Sequence, residues 1–588
     1  MTIVVNYDKR KNTELFNNLD KQGFTRTQNY IPLYRNFFVL NDNNYSSVNL
    51  NHTHFIEKIQ KSISDNIHIC LIKSKIQSKP RPEKVFFKFA PLIDPVKYMI
   101  GKYTIDDKLT TLPNLQSTDE NSNSKIIDPN NSSYVDGFFS YLTNQLLSFK
   151  KFVHGVRYYG SFLTIKKDYK LNVYDDLEYL VKSDFFHKNK ETLFKIDNYS
   201  DLFEDDSSRP DLPTIQIHGD EINEKDIKLD SLEETVFEDL FTENLDITDV
   251  NLEITDINLT SENLHAHNGL LLSPENPTKK EDSPLSGSFK NISCKNTDSS
   301  EDENSELSYT DDDEDDEEES GSSEGSSYGS SDSEEEVINA YFPNFPLQLI
   351  CMEACSDTMD QLILDDKMTE KIWFSALMQI IMTLITYQKV FSFTHNDLHT
   401  NNVMYVSTKK KFLYYHFKGN HYRVPTFGMI FKIIDFGRAI YKYDGKVMCS
   451  DSFSSNGDAA TQYNIEPYYN SKKPRLEPNY SFDLCRLACS IFDYLIEDIK
   501  DLNKVVESNP VARLIVDWCI DDNGINVLYK NNGTDRYPDF KLYKMIARCV
   551  HNHTPQAQLE REEFKKYIFP KDEIPNSEPI MDIDEMNS

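Results

Sequence analysis

The chain has 588 residues, 38% of them hydrophobic and 27% charged, and 96 acidic against 63 basic side chains leave a net charge of −33. Eighteen Asp and Glu and no Lys or Arg lie between Glu301 and Glu336, so this window alone carries −18 of that charge. The composition excludes a collagen, a membrane bundle and a small disulfide scaffold, and the acidic balance argues against nonspecific nucleic-acid or anionic-membrane binding.

Residues 1–60 are polar and Asn-rich, with an apolar patch at 34–40, and read as an N-terminal extension of unassigned structure. Residues 1–10 lack the apolar run of a signal peptide. The piece His52-Thr53-His54 reads as a surface loop, as does His551-Asn552-His553; neither has the Cys or carboxylate company of a metal site. Residues 67–72 and 84–90 are β-branched and aromatic, hence strands, with Pro80 and Pro82 in the turn between them. A polar loop is expected over 104–129. Apolar residues at 135, 138, 139, 142, 146 and 147 have helical spacing within 134–152, and 156–165 reads as a strand.

From about 201 to 336 the chain is low in complexity. Such a stretch buries too little apolar surface to offset its conformational entropy, so a disordered acidic insertion is expected. Apolar periodicity resumes at Phe342 and is mostly helical to Phe569. The most apolar piece, 374–387, is interrupted by Gln379 and too short for a bilayer, which makes it a buried helix. Residues 570–588 read as a frayed acidic tail. Nine cysteines, an odd number without a CxxC pair, fit a reduced, intracellular, soluble protein. Cys351/Cys355 and Cys485/Cys489 are each spaced for one face of a helix.

The strongest chemical signal is Thr394-His395-Asn396-Asp397-Leu398-His399-Thr400-Asn401-Asn402, followed by Ile433-Ile434-Asp435-Phe436-Gly437-Arg438. Phosphoryl transfer needs a carboxylate to orient and deprotonate the attacking hydroxyl, and oxygen ligands that hold Mg²⁺ on the nucleotide phosphates. Asp397 suits the first task, and Asn402 with Asp435 the second. Strand-like runs at 403–406 and 431–434 flank both pieces, as this pairing of motifs requires.

In these motifs the chain resembles the eukaryotic-type protein kinase superfamily. The finer likeness, in His395 to His399, the insertion over 414–429 and residues 458–470, is to kinase-like proteins of large cytoplasmic DNA viruses. The resemblance implies an α+β, bilobal protein-kinase-like fold, with a small antiparallel-sheet lobe and a mainly helical large lobe. Residues 61–200 would start the small lobe, 201–336 would be the disordered insertion, and 337–352 the last small-lobe strand and hinge. The large lobe would span 353–569. By the same likeness Val85-Phe86-Phe87-Lys88 makes Lys88, rather than Lys84, the anchor of the nucleotide phosphates. Met352 takes the gatekeeper position, the backbones of Glu353 and Cys355 face the adenine edge, Met404 packs beneath it, and Asp483 caps the catalytic-loop backbone.

The sequence also departs from the family's pattern. No Gly-rich loop precedes Lys88, and Phe86 stands where a small residue is usual. The register against Tyr159-Gly160-Ser161-Phe162 points to 143–145 for the helix residue that should meet Lys88; no acid falls there, and Asp136 lies about two turns away. Asn396 and His399 replace the usual arginine and lysine, and Ile465-Glu466-Pro467 is the nearest piece to an Ala-Pro-Glu. Ser450 to Ser455 lie in the segment where regulatory phosphorylation is found in the family, and Lys472-Lys473-Pro474-Arg475 reads as a solvated basic turn. The expected activity is ATP- and Mg²⁺-dependent transfer of the γ-phosphoryl group to a Ser or Thr hydroxyl of a protein. A pseudokinase scaffold and a small-molecule phosphotransferase of aminoglycoside- or choline-kinase type are the alternatives. The insertion could recruit a basic protein partner, and a viral origin would place the protein in the host cytoplasm or the virion.

Overall fold

The computed structural model describes residues 3–76, 79–199 and 337–586. The expected disordered insertion therefore lies outside the described residues. What is described is a mixed α+β fold with antiparallel sheets and a largely helical C-terminal half.

The main sheet takes its strands from both sides of the insertion. They are β1 (Phe24–Gln28), β2 (His54–Ser62), β3 (Ile67–Ser74), β4 (Arg81–Pro91), β5 (Tyr158–Asn172) and β6 (Asn339–Glu353), in the spatial order β1-β5-β6-β4-β3-β2. A short strand, Lys195–Ile196, pairs on β6 as well. Strand β4 shows why the two faces differ. Side chains alternate across a strand, so Val85 and Phe87 enter a small core with Leu15, Leu19, Phe24 and Phe162. Phe86, Lys88 and Ala90 take the opposite face. Pro82, expected in a turn, lies inside β4 opposite Leu71.

Much of the first 60 residues packs on or into this sheet, while Tyr7–Lys9 and Val48–Leu50 pair with each other in a separate two-stranded sheet. Residues 1–60 supply β1, most of β2 and the helix α1 (Thr13–Asp20), whose Leu15 and Leu19 close the small core. His52 is not a surface residue: it is 1% exposed, and its Nε2 lies 3.1 Å from the carbonyl oxygen of Tyr159.

Helix α2 (Ser132–Lys150) crosses the other face. The Asn131 side chain caps it by accepting from the Ser133 N–H, while its amide donates to the Leu92 carbonyl at 2.9 Å. The Ser133 hydroxyl donates to the Pro91 carbonyl at 2.6 Å. These bonds pin the first turn of α2 to the end of β4. Gly137 permits the close approach, since a Cβ there would meet Gln348 Nε2 at 2.1 Å.

In the C-terminal half, α3 (Glu370–Phe391) is buried along nearly its whole length. Among the described residues it is the one helix long and apolar enough to cross a membrane, and nearly all of its apolar window is buried within the protein. Its interrupting Gln379 accepts from the Phe431 N–H at 3.0 Å and donates to the Met429 carbonyl. That strand edge explains a polar side chain inside an apolar helix. Strands β7 (Val403–Ser407) and β10 (Met429–Ile433) pair antiparallel and flank a hairpin, β8 (Phe412–Phe417) with β9 (Asn420–Pro425). Helices α4 (Phe482–Leu495), α5 (Pro510–Trp518) and α6 (Lys541–Cys549) complete this half. Cys485 and Cys489 are both buried on α4, but Cys351 is a strand residue, so Cys351 and Cys355 share no helix.

The C-terminal tail is docked rather than frayed. Strand β11 (Ile580–Asp582) pairs parallel with β8, and Met581, Ile583 and Met586 are buried. Lys389 Nζ binds the carbonyls of Ile583 and Asp584, each at 2.6 Å. Burying such side chains is worth about 1.5–3 kcal/mol apiece. Deleting 580–588 should therefore lower the urea midpoint markedly; an unchanged midpoint would contradict the docking.

Candidate active site

Lys88 points from β4 toward α2 and is 9% exposed. Its Nζ lies 2.7 Å from Asp136 Oδ2 and 2.7 Å from Asp435 Oδ2. The carboxylate facing Lys88 on the helix is thus Asp136, not a residue of 143–145, which corrects the expectation of a missing partner. The cause is the anchoring of α2's first turn to the end of β4, which brings residue 136, one turn in, level with Lys88. A signal was present: Asp136 precedes Gly137, and a mid-helix glycine, costly to a helix, marks a close backbone approach.

Asp136 also joins the two halves of the site. Its Oδ1 accepts the Phe436 N–H at 3.1 Å. Burial raises its proton affinity, Lys88 opposes that and Asp435 adds to it, with a net upward shift. Asp435 is partly buried, and the Lys88 cation outweighs desolvation and holds its carboxyl below the usual carboxylate range. The residue sits at φ 63°, a left-handed conformation that Asp tolerates better than most.

The loop of Asp397 is built on a network. Asp483, at the start of α4, accepts from the His395 and Asn396 backbone N–H groups, each at 2.9 Å. His395 Nε2 meets the Ile434 carbonyl at 2.9 Å, so it carries the proton, and Nδ1 is left to accept the Asp397 N–H at 3.3 Å. Asn396, at φ 65°, donates to the Arg438 carbonyl and accepts from the Tyr463 hydroxyl at 2.8 Å. Here the loop conformation and the bonds, rather than charge, use residue 396.

Asn402 Nδ2 donates to the Asp397 carbonyl and to His399 Nε2, both at 3.0 Å. With both amide hydrogens committed, Oδ1 is the atom left to ligate a cation. Burial pushes the His399 imidazole down to about 4 despite nearby Asp397, so it is neutral at neutral pH.

Asp397 itself is met by groups that the motifs did not reveal. The Tyr543 hydroxyl, on α6, donates to Oδ1 at 2.8 Å, and Arg438 Nη1 lies 3.5 Å from Oδ2. Arg486 Nε in turn donates to the Tyr543 oxygen at 2.9 Å. Burial disfavours the carboxylate, but Arg438, His399, Arg486 and the Tyr543 hydroxyl outweigh it and hold the group well below the ordinary range. Nothing in the sequence near Tyr543 signalled this contact.

At the end of β6, Met352 is paired with Phe86 across the sheet and is buried. The Glu353 N–H is committed to the Arg157 carbonyl at 2.9 Å. Its carboxylate ion-pairs with Lys432 and accepts from the Arg157 N–H at 2.8 Å. Burial opposes ionisation of Glu353, but Lys432 and Arg157 outweigh it and shift the carboxyl down. Cys355 is partly exposed, with its thiol pushed up to about 12 by burial. Met404, on β7, lies opposite Lys432 on one side and Thr358 on the other.

The structure thus brings Lys88, Asp435 and Asp136 into direct contact and ties Asn402 to Asp397. Met352 and Glu353 end β6 and Cys355 follows it, while Met404 lies on β7, a strand of a different sheet. Among the described residues no cluster of three or more His, Cys, Asp or Glu is arranged to hold a metal ion unaided. Two oxygen donors, Asp435 and Asn402 Oδ1, still suit Mg²⁺, which takes one or two protein ligands and completes its shell from phosphates and water. No protein-family model matches the chain, and no curated protein matches it.

Proposed function

We propose that this protein is an ATP- and Mg²⁺-dependent serine/threonine protein kinase on a bilobal protein-kinase-like fold. The observation that carries the reading is the Lys88 amine 2.7 Å from both Asp136 and Asp435. It is supported by the run β5-β6-β4-β3-β2, by the helix inserted between β4 and β5, and by Asp483 bound to the loop of Asp397. An amine held by a helix carboxylate also favours an active enzyme over a binding scaffold.

In this reading Lys88 binds the α- and β-phosphates, held in place by Asp136. Asn402 and Asp435 would hold Mg²⁺, which when bound offsets charge on the phosphates. Asp397 orients the acceptor hydroxyl and takes its proton as the hydroxyl oxygen bonds to the γ-phosphorus and the bond to the bridging β-phosphate oxygen breaks, releasing ADP; Arg438 and Tyr543 keep it ionised and aimed. Met352, Cys355, Met404 and the Glu353 backbone would surround the adenine. The turn between β2 and β3 would cover the phosphates without glycines. It is closed by Ile63 N–H to the Ile67 carbonyl at 2.8 Å and tied by Asn66 Nδ2 to the Phe87 carbonyl at 2.8 Å.

Mg·ATP at a hundred times its dissociation constant should stabilise the protein by about 2.7 kcal/mol, read as a raised melting temperature, and label from γ-³²P-ATP should appear on a mixed protein substrate. A melting temperature unmoved by millimolar Mg·ATP would overturn the reading.

A further inference from the structure

The segment from Arg438 to Ser481 follows Asp435-Phe436-Gly437, and two of its carboxylates, Asp451 and Asp458, are held by cations from within the fold. Arg438 Nη2 lies 2.5 Å from Asp458 Oδ2. Asp451 is 6% exposed, and its Oδ2 lies 2.6 Å from Lys125 Nζ. Asp451 Oδ1 accepts the Ser132 N–H at 2.9 Å, at the first residue of α2, and the Asp451 N–H donates to the Asn130 carbonyl at 2.7 Å.

The loop between these anchors is wound tightly. The Ala459 N–H reaches the Ser452 carbonyl at 2.8 Å, and a Cβ on Gly457 would stand 2.1 Å from that same oxygen. Two serines of the Ser450 to Ser455 cluster are inside: Ser450 is 0% and Ser452 8% exposed. A phosphate on either would have to be buried. Phosphorylation orders a segment by adding negative charge opposite basic side chains; here carboxylates fill that role.

We propose that Asp451 and Asp458 fix this segment without phosphorylation, and that Asp451, through Lys125 and the start of α2, is a positioning residue for Asp136 and hence for Lys88. The proposal rests on the kinase reading for its catalytic consequence, but its structural arm stands apart. Asp136 sits one turn beyond the residue that Asp451 holds, and it carries both the Lys88 amine and the Phe436 N–H.

The test uses the full chain as wild type, Asp451→Asn, Lys125→Met and the double variant, followed by hydrogen exchange and mass spectrometry. Each single variant should exchange at least tenfold faster in peptides covering the first turns of α2 and residues 436–459. The double variant should go no further, and α3 should be unchanged. Lys125→Met leaves Asp451 in place should Asp451→Asn fail to fold. Unchanged exchange, or faster exchange spread through α3 as well, would overturn the positioning role. Wild type treated with a broad phosphatase should transfer phosphate at its untreated rate, whereas loss of transfer would overturn the phosphorylation-independent part. Should wild type label no acceptor at all, the kinase reading fails and the exchange result alone decides this proposal.

Discussion

Asp397→Asn should lower phosphoryl-transfer turnover by about 10²–10⁴-fold, the usual contribution of a positioned acid or base, while leaving the Mg·ATP thermal shift intact. The substitution keeps the size of the side chain and an oxygen for Tyr543, but removes the charge that Arg438 faces at 3.5 Å and the capacity to take a proton. Nucleotide contacts are assigned to other residues, so the effect should fall on turnover and not on binding. The charge state refines the prediction. Burial works against the Asp397 carboxylate, but the surrounding guanidinium groups hold it well below the ordinary range. It is therefore ionised throughout pH 5–8, and the wild-type turnover profile should show no acid limb from this group there. So weak a base accepts the proton late, which makes orientation of the hydroxyl its larger task. Equal turnover by variant and wild type would remove Asp397 from the mechanism.

What was legible in the sequence follows from where each determinant lies along the chain. The loop of Asp397 and the run at Asp435 are local, and the strands around them carry β-branched residues, so residue types alone brought Asp397 and Asn402 together. Helix α3 was legible because its apolar residues lie on every side, and Gln379 needed only a neighbouring strand edge. The Lys88 partner was not, because its place depends on how α2 docks: Asn131 and Ser133 bind the carbonyls of Leu92 and Pro91, about 40 residues earlier. Residues 1–60 hid their strands for a similar reason. Strand β1 pairs with β5, some 140 residues on, with a register shift, and β2 has two shifts that break the alternation. In the tail, acidic residues between Met581, Ile583 and Met586 masked three buried side chains. Tyr543 reaches Asp397, and Arg486 backs Tyr543, from helices far along the chain, and no spacing rule anticipates that.

The largest stability effect should come from Lys88→Met. Asp136 Oδ2 and Asp435 Oδ2 each lie 2.7 Å from the Lys88 amine, so they are at most twice that distance apart, and both residues are largely buried. Removing one partner of a buried ion pair costs about 3–5 kcal/mol because the remaining charge is left uncompensated, and here two like charges remain. The variant should melt well below wild type and lose the Mg·ATP shift, in contrast to Asp397→Asn. The pH dependence has a definite sign. Burial and Asp435 already raise Asp136 above the usual carboxylate value, with Lys88 opposing. Without the amine Asp136 should rise further, so the variant regains stability as pH falls from 7 and this carboxyl protonates. Asp435 is depressed in wild type, so wild type loses that contribution only below about pH 5, as the unfolded carboxyl begins to protonate. Between pH 7 and pH 5 the Asp136 trend alone narrows the gap, and the destabilisation should be smaller at pH 5 than at pH 7. Adding Asp136→Asn to Lys88→Met removes one of the two facing charges and should recover part of the loss at pH 7, a coupling that a double-mutant cycle reads directly. Were the double variant no more stable than Lys88→Met alone, repulsion between the two carboxylates would not be what Lys88 relieves, and the amine's role would reduce to binding phosphate.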